Sequence, residues 1–98
     1  MKTIESVLCW KTSDGQLFES KERAERGQSA INMVDRFGAD NIYDSFYTVD
    51  NKEDLRIILN FLKKVYGFKG VMMQFMDAKC PLKMWIDWKK KTVEYNES

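Results

Sequence analysis

The stretch from Asp50 to Gly67 constrains the fold more than any other part of the chain. Leu55, Ile58, Leu59, Leu62, Val65 and Tyr66 recur at steps of three and four, the spacing that stacks side chains on one face of an α-helix. Asp50-Asn51-Lys52-Glu53 offers an acidic N-cap with a glutamate three residues on, the capping-box pattern. Gly67 stands where a helix ends in left-handed backbone, and Lys63 and Lys64 suit the negative end of the helix dipole. So wide an apolar stripe must bury itself against another layer. It is broad enough to cover a sheet with area left for a second subunit, so a homo-oligomer is one expectation.

The remaining elements follow from shorter signals. Residues 4–11 are rich in β-formers, Asp14-Gly15 marks a tight hairpin turn, and residues 16–19 read as the return strand. Ser20 is placed to cap a first helix that Gly38 ends. On that helix Ala24, Gly27, Ile31 and Val34 form the leading stripe, with Ala30, Met33 and Phe37 beside it. Gly27 costs ~1 kcal/mol relative to Ala in a helix interior, which a close approach of helix to sheet would explain. Residues 41–49 read as a strand or an extended loop; as a strand they put Tyr43, Tyr47 and Val49 on one face, Ile42 and Phe46 on the other. Val71–Met76 reads as a buried strand, Cys80-Pro81 as a turn, Met84–Trp88 as a strand and Thr92–Tyr95 as an edge strand after a lysine turn. The expected fold class is α+β: one domain over residues 1–98, a small mixed or antiparallel sheet of 4–6 strands, two helices packed on one face, and the order ββα(β)αβββ.

Composition excludes more chemistry than it proposes. The chain contains no histidine, which removes the usual general base near neutral pH and the commonest zinc ligand. Cys9 and Cys80 lie far apart with no Cys-x-x-Cys, and both sit among apolar neighbours, so reduced buried thiols in a cytoplasmic protein are expected. The glycines match neither phosphate-binding fingerprint, and no spacing of acidic residues selects a catalytic pair. No cofactor, no metal and no enzymatic activity are expected. The N-terminal apolar run is broken by Glu5 and Ser6, unlike a signal peptide, and no stretch approaches the ~18 apolar residues of a membrane span, so no membrane partner is expected.

Net charge is +1, but its distribution is uneven: residues 35–54 carry six acidic groups against Arg36 and Lys52, and residues 63–91 carry eight lysines against Asp77 and Asp87. Two candidate recognition sites result. In the first, Asp40, Tyr43, Asp44, Phe46, Tyr47 and Asp50 interleave aromatics with carboxylates, a composition that suits a protein-binding hot spot. In the second, Lys83, Trp85, Lys89, Lys90 and Lys91 combine a ring that stacks bases with cations that meet phosphates, so nucleic acid or a nucleotide is the alternative partner. Trp85 and Trp88 point to opposite faces of a regular strand, so at least one belongs to the core. Met72, Met73, Met76 and Met84 form a cluster that reads either as an adaptable binding surface or as core filling.

The run Trp10-Lys11-Thr12-Ser13-Asp14-Gly15-Gln16-Leu17-Phe18-Glu19-Ser20-Lys21-Glu22-Arg23-Ala24 resembles the opening of many small bacteriophage accessory proteins. There a strand, an Asp-Gly turn, a short strand ending in Phe and a helix with an early Ala recur. The resemblance covers about the first quarter of the chain and carries over no functional residue. It implies a phage-type protein in the host cytoplasm that binds and inhibits or modulates a host protein, in host takeover or anti-defence.

Overall fold

The computed structural model describes residues 10–18 and 20–97. Most of the first expected strand, with Cys9, lies outside the described residues. Its end, β1 (Trp10–Lys11), pairs antiparallel with β2 (Leu17–Phe18) across the Asp-Gly turn. Gly15 takes φ +89° and donates its N–H to the Thr12 carbonyl. The Asp14 carboxylate accepts from the Thr12 hydroxyl and from the Gln16 N–H, and these bonds hold its pKa below the ordinary carboxylate value.

Ser20 caps α1 (Lys21–Phe37), its hydroxyl accepting from the Arg23 N–H at 3.4 Å, and Gly38 ends the helix with its N–H on the Val34 carbonyl. The buried face of α1 departs in part from the expected one. Ala24 and Met33 are buried as expected and Ser29 joins them, while Val34 lies at the surface. The cause is the packing partner: α1 runs antiparallel along α2 (Lys52–Tyr66). Arg26 donates to the Lys64 carbonyl at one end, and Arg36 grips the Asp54 carboxylate with two bonds of 2.6 and 2.7 Å at the other. Asp54 is buried, so a paired and hydrogen-bonded cation there satisfies both of its oxygens.

The second helix forms where expected, with its cap shifted by one residue. Asn51, not Asp50, is the N-cap: its side chain accepts from the Asp54 N–H at 2.9 Å, and the Asp50 side chain is exposed. Gly67, with φ +74°, ends the helix, and the N–H groups of Gly67 and Phe68 return to the carbonyls of Lys63 and Leu62. Leu55, Ile58, Leu59 and Leu62 are buried as the stripe requires, and Phe61 joins them because α2 is covered on two sides.

Among the described residues the sheet has three antiparallel strands in the order β3 (Phe46–Val49), β4 (Leu82–Asp87), β5 (Thr92–Glu97), and the β1–β2 hairpin forms its own pair. The expected 4–6 strands and their order are therefore corrected on two counts. The hairpin attaches to α1, where Gln28 bonds Ser13 through both its amide oxygen and nitrogen. Val71–Met76 is not a strand: α3 (Val71–Gln74) is a single helical turn. Val71, Phe75 and Ala78 are buried at steps of four and three, and Met and Gln are good helix formers. Of residues 41–49, only Phe46–Val49 join the sheet, after a 3-10 turn over Ala39–Asn41. Cys80-Pro81 makes the turn into β4, and Lys89–Lys91 turn β4 into β5. The core lies between α2 and the inner sheet face, where Val49, Leu82, Met84, Ile86 and Val93 pack against it. Among the described residues no helix is long and apolar enough to cross a membrane.

Candidate functional site

Strand alternation sends every second side chain of the sheet away from the helices. On β4 Leu82, Met84 and Ile86 point inward, and Lys83, Trp85 and Asp87 point outward. Phe46 and Thr48 take the outward positions of β3, and Thr92, Glu94 and Asn96 those of β5. The register aligns these into rows: Phe46 beside Trp85 beside Glu94, then Thr48 beside Lys83 beside Asn96, then Asp87 beside Thr92. At the centre the Phe46 and Trp85 rings meet with centroids 5.4 Å apart and planes tilted by 50°. Phe46 is 46% exposed and Trp85 41%, so each ring keeps a large open surface. A cleft of about 270 Å³ opens beside Trp85, bordered by Asp87, Lys90, Thr92 and Glu94.

The two sequence-derived sites are redistributed. Of the acidic-aromatic set, Tyr47 is core: it is 5% exposed and its hydroxyl donates to the Asn41 carbonyl. Burial, helped by the nearby Asp44 carboxylate, pushes its pKa up to about 12. Tyr43 and Asp44 sit together in the loop before β3, where Tyr43 packs edge-on against Tyr66 and Trp88, and the Asp44 carbonyl accepts from the Trp88 indole N–H. Burial and a hydrogen bond with Tyr43 push the Tyr66 pKa up to about 12. Asp40 lies on the 3-10 turn, and Asp50 lies past the far end of β3. Tyr47 is therefore lost from the set as a contact residue, the other five are exposed, and of them Phe46 faces outward from the sheet. The alternation within 41–49 was legible; the strand boundary, which removes Tyr43 from the inward face it would share with Tyr47 and Val49, was not.

Of the lysine-aromatic set, Lys83 and Trp85 do share the outer face, and Lys90 borders the cleft beside the ring. Lys89, Lys90 and Lys91 form the turn that Asp87 organises by accepting from the Lys89 and Lys90 N–H groups at 3.1 and 3.0 Å. Trp88 is the core member of the tryptophan pair, its ring against Phe61, Tyr66 and Phe68. Cys80 is half-buried, and that burial raises its thiol pKa. The composite site thus takes one aromatic from each expected region. Nothing in the sequence pairs Phe46 with Trp85, because the register of two strands separated by two helices is set by packing. Comparison with known proteins returns nothing: no family model, no curated protein and no solved structure matches the chain.

Proposed function

We propose that this chain is a non-enzymatic binding protein that docks a partner protein on the outer face of its three-stranded sheet. The observation that carries the reading is the exposed Phe46–Trp85 pair set within a polar border. Large rigid rings at the centre with hydrogen-bonding and charged groups around them is the anatomy of a protein interface. The charge of that border favours a protein over a phosphate backbone. On the strands themselves Lys83 is outnumbered by Asp87 and Glu94, and the positive charge of Lys89, Lys90 and Lys91 is confined to the turn at one end. The resemblance of residues 10–24 to phage accessory proteins makes a host protein the expected partner and inhibition or modulation the expected effect, in the host cytoplasm.

The test is a pull-down from bacterial lysate, with and without nuclease, using the native chain and a Phe46→Thr/Trp85→Thr variant. Threonine keeps β-propensity while removing both rings. The expected result is one stoichiometric protein that survives nuclease, is held by the native chain and is lost from the variant, with an unchanged circular dichroism spectrum. Retention by the variant overturns the site, and recovery of nothing specific overturns the function. The second reading, nucleic-acid binding, rests on Lys83 and Trp85 sharing one face. It requires recovery that disappears with nuclease and an affinity that drops steeply with salt.

A further inference from the structure

A second surface lies away from the sheet face, between α2 and the segment that follows it. Lys52, Leu55, Arg56 and Leu59 fall on one stripe of α2, at steps of three, one and three, and face Met72, Phe75, Met76 and Ala78 across a groove of about 200 Å³. The floor is apolar and fixed: Leu55, Leu59, Phe75 and Ala78 are each 5% exposed or less. The wall is methionine. Met76 is 68% exposed and the adjacent Met73 is 77% exposed, although the same cluster supplies Met84, fully buried, to the core.

Two observations identify the occupant. The first is charge: the lining contains two cations, Lys52 and Arg56, and no carboxylate. Of the neighbouring carboxylates, Asp54 is held by Arg36 and Glu53 faces Asn32 and Asp35 on the opposite flank of α2, while the exposed Asp77, between Met76 and Ala78, is not part of the lining. The second is size. Small-molecule sites run to about 300–1,000 Å³, so this groove is too small for a cofactor and fits apolar side chains. Methionine walls repack around such side chains because the thioether is unbranched and polarisable. We propose that this groove docks an acidic amphipathic segment of a partner protein, with one apolar side chain seated on the Leu55–Phe75 floor and carboxylates against Lys52 and Arg56. A helix presenting apolar anchors at i and i+4 among glutamates has that chemistry.

The full chain with methyl-¹³C methionine tests this by NMR. The probe is a synthetic helical peptide of glutamate and alanine with two leucines at i and i+4; the control carries lysine at every glutamate. The expected result is saturable movement of the Met72, Met73 and Met76 methyl signals with the acidic peptide alone, the Met33 and Met84 signals staying in place. Binding is expected to weaken at least tenfold in a Lys52→Glu/Arg56→Glu variant. The Met33 and Met84 signals report whether that variant keeps its core. If it does not, Met76→Gln, an exposed change, carries the same expected loss. No movement with the acidic peptide, equal binding of the lysine peptide, or undiminished binding by the variant overturns the proposal.

Discussion

Tyr47 shows how one buried side chain fixes a boundary. Its hydroxyl satisfies the Asn41 carbonyl and its ring meets Phe37 edge-on at 5.6 Å, so it ties the 3-10 turn to the sheet and to the end of α1. Because burial raises its pKa from 10.0 to about 12, the folded state favours the neutral phenol. Below about pH 10 both states are protonated and this contribution is fully present. Between about pH 10 and 12 the unfolded chain has released the proton and the folded chain has not, so stability falls as pH rises. Tyr66, raised to about 12, acts with the same sign. Thermal melts from pH 9 to 12 are expected to show a falling Tm, and Tyr47→Phe is expected to flatten part of that fall. A Tyr47→Phe profile that tracks the native one would remove Tyr47 from this account.

At the scale of the element, the caps separate what composition offers from what geometry uses. Asp50 and Asn51 are both good N-cap residues, and either fits the sequence. The structure gives the role to Asn51, which leaves Asp54 in the first turn, beside the Asn51 amide and paired with Arg36. Asn51→Ala is therefore expected to cost about 1 kcal/mol in denaturant unfolding, and Asp50→Ala clearly less; the reverse order would restore the capping box at Asp50. The segment 71–76 teaches a related lesson. Its run of apolar residues fits a buried strand or a buried helical turn equally in pattern. Gly70, with φ +75°, redirects the chain before it, and the buried set Val71, Phe75 and Ala78 is helical in spacing. Gln74 then donates to the Val93 carbonyl, so the turn covers part of the β5 edge that an extra strand would have taken.

Across the whole molecule, the chain divides into a helix-and-sheet body and an N-terminal hairpin joined to α1. The hairpin's described residues hold two paired positions and the Gln28–Ser13 bonds, whereas α2 is buried on both sides. Amide hydrogen exchange is therefore expected to be fast over residues 10–18 and slowest in the middle of α2, a ranking that mass spectrometry of exchanged fragments checks directly. Equal protection in the two regions would show the hairpin to be part of the cooperative body. The body also separates the two surfaces argued to bind: an aromatic face on the outer side of the sheet, and a basic methionine groove on the helical side. By itself the sequence determined what is local. The α2 stripe, its glycine stop, the Asp-Gly turn, the Ser20 cap and the inward-outward alternation of β4 all follow from steps of two, three and four residues along one stretch of chain. The tertiary structure alone decided that Ser29 rather than Val34 is buried on α1, that the described part of the hairpin pairs apart from the sheet, that Tyr47 is core, and that Phe46 lies against Trp85. Each of these depends on which distant segment comes to lie alongside, and that is set by how the layers pack rather than by any spacing within a single element.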